Sequence, residues 1–419
     1  MIIEFKVANF RSIREQQTLS LAAGTGSELE NNICASDFSP DLKLVRTAVI
    51  YGANAAGKSN CLNVLAFMRE FILNSARESQ QGEPIQVASF AFCNKPSEFE
   101  ITFIKDKTRY QYGFLADRNQ IFEEWLFAYP HNRGQQWFSR IYNKKNKQYN
   151  WKFSTHFKGQ HKKTVELTRN NVLFLSNAVN LNNEQLRPVF EWFQKDLMLI
   201  DSPSAGKSYR DIEDTLQYIK TKYGKKKVLD FMKVADPSID EIRLEEKPIT
   251  EANLKFPSSM PKELQDALRK ELIGKMDYKI SLVHSNNIPL KLNDESEGTQ
   301  KLLAMAGLWL DALDNGRVLI VDEMDNSLHP LAVRFLIELL YNSTANKKNA
   351  QLIFTTHDTS LLDTELFRRD QVWFVEKDKN NATQLYPLLD FSPRKNEAIG
   401  RGYLMGRYGA IPYIGEWRF

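Results

Sequence analysis

Apolar and polar residues alternate over residues 1–10, with Ile3, Phe5 and Val7 set against Glu4 and Lys6. A period of two predicts a half-buried opening strand. Residues 44–51 form a short β-branched run that stops at a glycine, and residues 59–73 repeat apolar positions at helical spacing. Strand, glycine loop and helix therefore follow one another. Across residues 85–129 the runs FEITFI, YQYGFL and IFEEWLFAY are separated by polar turns, which predicts an antiparallel meander. Residues 131–283 turn basic and polar, with helical periodicity at 211–222 and 262–276 and no apolar heptad sustained long enough for a coiled-coil arm. The final section alternates helix (299–312), strand (317–321), helix (Pro330–Tyr341) and strand (Gln351–Thr355). Such alternation predicts an α/β fold with a mostly parallel sheet. The expected organisation is an N-terminal lobe at 1–130, an inserted and largely helical basic region at 131–283, and a C-terminal lobe at 284–419.

Composition narrows the class. Of 419 residues, 42% are hydrophobic and 26% charged, ordinary values for a folded chain and not for a disordered or collagen-like one. A net charge of +4 is too small to imply nucleic acid, so any such contact needs a local patch, as at the basic stretches near Lys144 and Lys225. Cys34, Cys61 and Cys93 have no C-x-x-C spacing, which indicates neither a disulfide framework nor a cysteine zinc site. A reducing cytoplasm is the expected setting. No window reaches about 18 uninterrupted apolar residues, so no membrane span is expected.

Gly52-Ala53-Asn54-Ala55-Ala56-Gly57-Lys58-Ser59 fits G-x-x-x-x-G-K-[ST] between the predicted strand and helix. Glycines let backbone curl around a phosphate chain, the helix N-terminus attracts it, Lys58 reaches the β/γ oxygens, and Ser59 offers a hydroxyl to Mg²⁺. A second lysine motif, Ser204-Ala205-Gly206-Lys207-Ser208, has Asp201 where the first glycine is required and reads as a loop. Val318 to Val321 runs into Asp322 and Glu323, at the end of a strand where open sheets place their chemistry. Asp322 suits Mg²⁺ and Glu323 suits the deprotonation of water. The next strand delivers His357, placed as a γ-phosphate sensor. Ser296 and Gly298 precede an apolar helix and form a second anion-binding helix start. One nucleotide does not need two, so the second is expected to complete the site of another subunit.

In order and type these residues resemble the ATP-binding cassette superfamily, in its soluble SMC-like and RecF-like branch. The resemblance implies a Walker A motif at 52–59 with Asn60 beside it, a degenerate signature at Ser296-Glu297-Gly298, a Walker B motif ending Asp322-Glu323, a D-loop at Asn326-Ser327-Leu328-His329-Pro330, and His357 as switch histidine. Ala8-Asn9-Phe10-Arg11-Ser12 is similar to the N-x-F-R-S start of that branch, which puts Arg11 near the nucleotide. Gly406-Arg407-Tyr408-Gly409-Ala410-Ile411-Pro412 resembles the tails of ATPases in phage-defence operons, the abortive-infection and RloA-like proteins related to the ATPase halves of PARIS and Septu. From this follow the expected fold, an ABC-type ATPase head with a mixed sheet, an antiparallel β subdomain and an inserted mainly helical region, and the expected ligands, ATP and Mg²⁺. The resemblance also implies a homodimer or higher homo-oligomer through the heads, a companion nuclease or toxin effector, and a nucleic acid or phage protein as trigger. Ala55 stands where glycine is frequent, Thr299 replaces a usual polar run, and Gln86 is a Q-loop candidate by position alone.

Several rivals fall away. Asn94-Lys95-Pro96-Ser97 fails the guanine-reading N-K-x-D pattern at its fourth position. Lys58 and Ser296 stand 238 positions apart, much farther than in transport cassettes. Val375-Glu376-Lys377-Asp378 lacks the glycine and paired aspartates of a TOPRIM nuclease, and His156 and His161 lack a third metal ligand, reading as solvated loop residues. A DNA-binding repair ATPase remains the alternative, ahead of a transporter subunit.

Overall fold

The opening alternation produces β1 (Ile2–Ala8), with Phe5 and Val7 buried and Glu4 and Lys6 half-exposed. It pairs antiparallel with β2 (Gln17–Ser20). The computed structural model describes residues 1–93, 95–130, 133–159, 161–200, 212–251, 254, 256–257, 259–285, 287–394 and 397–412. Asn94, the lysine motif at 204–208 with Asp201, and the first residues of the expected 131–283 and 211–222 segments lie outside them.

The expected single strand over 44–51 is two. β3 (Ile33–Ala35) and β4 (Lys43–Val45) form a small hairpin, and β5 (Thr47–Gly52) enters another sheet. Arg46 is the break: its Nε donates to Asn31 O at 3.1 Å, turning the chain between sheets. After the glycine loop, α1 (Lys58–Glu78) runs longer than 59–73 because its buried stripe of Cys61, Leu65, Met68 and Ile72 continues to Ser75. Phe67 and Phe71 on this helix meet Phe99 and Phe114 at ring separations of 4.9 and 5.6 Å, within one apolar core that joins α1 to both large sheets.

The meander does not end at 129. β6 (Ser97–Lys105), β7 (Thr108–Ala116) and β8 (Ile121–Tyr129) continue into β9 (Gln135–Asn143) and β10 (Gln148–Phe153), giving a seven-stranded antiparallel sheet ordered β10-β9-β8-β7-β6-β1-β2. Gln148-Tyr149-Asn150-Trp151-Lys152-Phe153 alternates exposed polar and half-buried aromatic residues, a strand pattern hidden by its lysine and asparagine content. Short helices α2 (His161–Glu166), α3 (Phe174–Asn180) and α4 (Arg187–Glu191) follow. They are tied to the sheet by Glu124, which is fully buried, pairs with Arg140 at 2.9 Å, and accepts the N–H groups of Phe174 and Leu175 at 2.8 and 3.0 Å. Breaking such a buried pair by removing one partner costs about 3–5 kcal/mol.

β11 (Leu197–Ile200) closes one edge of the second sheet. The smaller compact unit, residues 203–310 and 327–332, then begins with α5 (Ile212–Ile219) and α6 (Lys222–Ala235). β12 (Ile239–Pro248), α7 (Lys262–Leu272), β13 (Met276–His284) and β14 (Pro289–Lys291) follow, with the strands in one antiparallel sheet. Gly274, at φ +89°, stops the helix expected to run to 276. α8 (Glu297–Asn315) starts in this unit.

The larger unit, residues 1–202, 311–326 and 333–419, takes up the chain again. It holds β15 (Val318–Val321), α9 (Pro330–Tyr341) from Val333 onward, β16 (Gln351–Thr355), β17 (Val372–Lys377), β18 (Thr383–Pro387) and α10 (Ile399–Leu404). The six-stranded sheet is ordered β11-β15-β16-β5-β17-β18, parallel up to β17 with β18 antiparallel at its edge. The compact units thus follow boundaries other than 130 and 283, and the described part of residues 131–284 carries five strands as well as helices.

Candidate functional site

β5 lies between β16 and β17, and a Cβ on Gly52 would collide with the carbonyl oxygen of Val375 on β17. Ala55 adopts φ +61° and Gly57 φ +113°, the left-handed turns that curl the loop. That explains why glycine suits position 55, since a left-handed L-residue costs about 1–2 kcal/mol. A Cβ on Gly57 would also collide with Thr383 Oγ1. Gly57 caps α1 without a side-chain hydrogen bond, so the first N–H groups of a 21-residue helix face the loop. Asn54 is exposed, and Ala53 and Ser59 are half-buried.

Lys58 is only 6% exposed. Its Nζ donates to Gly52 O at 2.9 Å and Ala53 O at 3.2 Å, and lies 3.5 Å from His357 Nδ1. Burial lowers its pKa, opposed by the nearby carboxylates of Glu323, Asp322 and Asp325. The ends of β15 and β16 supply those partners. Thr355, fully buried, donates from Oγ1 to Asp322 Oδ1 at 2.6 Å and accepts the Glu323 N–H at 2.7 Å. Glu323 has φ +49°, strain held in place by this hydrogen bond. The His357 N–H donates to Asp325 Oδ2 at 3.2 Å, and Tyr51 donates to Asp358 O at 3.1 Å. Neither Thr355 nor Asp325 was singled out by sequence reasoning, although the acid two positions beyond Glu323 in Asp-Glu-Met-Asp was a visible signal.

Arg11 and Asn60 meet beside the loop, Nη1 to Oδ1 at 3.5 Å. A one-way chain of donors follows. Asn60 Nδ2 donates to Ser12 Oγ at 2.6 Å, and Thr383 Oγ1 spends its proton on Ala56 O at 2.9 Å. The 2.7 Å contact between the two hydroxyls therefore runs from Ser12 to Thr383. Gln86 is exposed and lies outside any strand, two residues from Ala88, whose carbonyl accepts the Arg11 N–H at 2.6 Å.

Ser296 and Gly298 belong to the smaller unit. Ser296 Oγ accepts the Thr299 N–H at 3.1 Å, capping α8, and a Cβ on Gly298 would stand 2.8 Å from Ser327 O. Lys58, Asp322, Glu323, His357, Arg11 and Asn60 all lie in the larger one.

Among the described residues no group of three His, Cys, Asp or Glu side chains forms a metal cage. His161 is not a solvated loop residue: its ring stacks on Phe153 and Phe157 at 4.8 and 4.6 Å. Mg²⁺ needs no cage, because it typically takes one or two protein ligands and draws the rest from phosphate and water. A serine hydroxyl at the first turn of α1 and an Asp322 carboxylate oriented by Thr355 fit that donor set.

A family profile described as "AAA domain, putative AbiEii toxin, Type IV TA system" matches residues 48–363, three quarters of the chain. The chain belongs to this family. The matched span opens in β5 and takes in the glycine loop, Asp322, Glu323 and His357. The family is one of P-loop ATPases, and the larger unit sets its glycine loop at the end of an interior strand of a mixed, mostly parallel six-stranded sheet. No curated relative matches in sequence. Solved structures with similarity include an SMC head bound to the C-terminal winged-helix domain of ScpA, 11% identical, covering 92% of this chain and 96% of that one at a TM-score of 0.43. The SMC head from Thermotoga maritima is 11% identical, with coverage of 92% and 98% and a TM-score of 0.39. The SMC head with an extended coiled coil, bound to the C-terminal domain of ScpA derived from Pyrococcus furiosus, is 12% identical, with coverage of 93% and 97% and a TM-score of 0.41. At these scores the similarity carries no weight of its own, and the fold rests on strand order and motif placement. No helix among the described residues is long and apolar enough to cross a membrane.

Proposed function

We propose that the chain binds and slowly hydrolyses Mg-ATP and reports its nucleotide state to a separately encoded effector in antiphage defence. The observation that carries the reading is the placing of Lys58. Its ammonium is buried, held by two loop carbonyls, and lies beside His357 in the field of three carboxylates. A triphosphate offers that ammonium better acceptors than two neutral carbonyls. Residues 52–60 cradle the phosphates, with Arg11 and Asn60 at the rim. Ser59 and Asp322 would hold Mg²⁺, which would supply neutralising charge to the phosphates. Glu323 accepts a proton from the attacking water, while His357 contacts the γ-phosphate.

Ser296 and Gly298 complete the pocket of a second copy, so nucleotide clasps two heads. The clasped dimer, in the cytoplasm, signals to a nuclease or toxin partner after a nucleic acid or phage protein triggers it. The chain itself has no nuclease role.

Calorimetry tests the core of this. Lys58→Ala should abolish most ATP affinity, and unchanged binding would sink the assignment. Glu323→Gln should bind ATP as well as the parent and hydrolyse it about 100-fold more slowly or worse, the usual size of a general-base contribution. Near-normal single turnover by that variant would move the base role elsewhere.

A further inference from the structure

β10 is an open edge of the seven-stranded sheet. Residues 143–165, which contain it, hold seven lysines and no carboxylate or arginine, so the rest of a chain of net +4 carries −3. Lys145, Lys147, Lys152, Lys158, Lys162 and Lys163 are exposed, and Lys144 lies over the Phe122 ring at 5.5 Å. None of the seven forms an ion pair among the described residues. Lysines on an edge strand commonly guard it against pairing with another chain. Only Lys152 lies on β10; three lysines sit in the turn before it and three in the segment after it, where they guard no edge. The two clusters are separated by a six-residue strand, about 20 Å at the usual rise.

The inner and outer faces of β10 say what such a stripe accepts. Trp151 and Phe153 pack on Phe174 at 5.1 and 5.6 Å, and Tyr149 donates to Ile121 O at 2.7 Å, so the aromatics are committed inward. The outer face presents Gln148, Asn150 and Lys152, with Ile141 on β9 beside Asn150 as a lone exposed apolar neighbour. It offers no stacking platform for the bases of a single strand. One isoleucine gives no foothold in a bilayer. Lysines act as point charges without the planar fork that reads carboxylates in pairs. Two lysine clusters, with amides and Lys152 between them, match a regular array of phosphates.

We propose that this stripe binds the phosphate backbone of double-stranded nucleic acid without reading its sequence, and so receives the trigger of the reading above. The proposal rests on that reading only for its biological meaning. Duplex binding is measured without ATP, so failure of the ATP assignment leaves its outcome intact. The probe is a fluorescein-labelled 24-base-pair DNA of mixed sequence, followed by anisotropy across a salt series, with a duplex RNA of the same length in parallel. Each lysine–phosphate pair removed should flatten the log–log salt slope by about 0.9. Lys145→Gln/Lys152→Gln/Lys162→Gln is therefore expected to weaken duplex affinity at least about tenfold and flatten the slope by up to about 2.7. Lys225→Gln/Lys226→Gln/Lys227→Gln, in the other unit, should bind like the parent, and both variants should keep the parent's urea unfolding midpoint as the sign of an intact fold. Absence of duplex binding by the parent at low salt, or parent-like binding by the first variant, overturns the proposal. Equal affinity for a 24-nucleotide single strand, or displacement by polyglutamate or phosphatidylserine vesicles as effective as by unlabelled duplex, assigns the stripe to another partner and overturns it too.

Discussion

Thr355→Val tests whether one buried hydroxyl sets the geometry of both carboxylates at the end of β15. Valine keeps the shape of threonine and removes only its hydrogen bonds. Two disappear: the hydroxyl donated to the Asp322 carboxylate at 2.6 Å and the acceptor of the Glu323 N–H at 2.7 Å. A hydrogen bond to a charged group contributes about 1.5–3 kcal/mol, and an orphaned N–H costs about 1 kcal/mol at a half-exposed position. The added methyl returns about 0.8 kcal/mol. The net destabilisation is about 2 kcal/mol, roughly 30-fold in the folding equilibrium. Urea unfolding followed by tryptophan emission suits the measurement, because Trp125, Trp137, Trp151, Trp192 and Trp373 all lie in the larger unit. ATP turnover should fall at least about tenfold, since the left-handed backbone of Glu323 then loses the acceptor of its N–H. Thr355→Ser restores both hydrogen bonds and should recover stability and turnover together. A valine variant within about 0.5 kcal/mol of the parent, or a serine variant as damaged as valine, would refute the reasoning.

Three further outcomes are expected. Gly57→Ala should destabilise the larger unit by about 2–5 kcal/mol in urea, from a left-handed backbone plus overpacking against Thr383, and the cost of the same change measured in a Thr383→Ala background, which has already lost the hydrogen bonds to Ala56 and Ser12, should be smaller by the packing part. Lys58 has a depressed pKa, so at alkaline pH below 10.5 it is partly neutral and must take up a proton to meet a triphosphate; ATP affinity should fall as pH rises, with proton uptake seen by calorimetry in buffers of different ionisation enthalpy. Burial pushes the Cys34 thiol up to about 11 and that of Cys61 to about 12, whereas Cys93 is partly exposed, so a disulfide reagent at pH 8 should find one fast thiol in the native chain and three in urea.

Pro330–Tyr341 and Gln351–Thr355 were legible to the residue, because polar turns bracket a clean helical stripe and a wholly buried strand. β10 was not, since lysine and asparagine mask its alternation, nor was β9, whose continuous buried run includes the polar Ser139 and Arg140. The glycine loop and the carboxylates at 322–323 announce themselves as local patterns. Thr355, Asp325 and Thr383 do not: each acts through a partner far along the chain, Thr383 through Ser12 across 371 positions. Ala55 showed only as a departure until its φ of +61° gave the reason.

The relay from Asn60 through Ser12 and Thr383 to Ala56 also bears on the order of synthesis. Its members come from the segment after β1, the loop with the first turn of α1, and the edge strand β18, and Thr383 leaves the ribosome 327 residues after Ala56. The loop is therefore gripped on both sides only after β18 has emerged, and a product interrupted before it lacks one of its two clamps. Chains still short of β18 are thereby kept from a fully set nucleotide pocket.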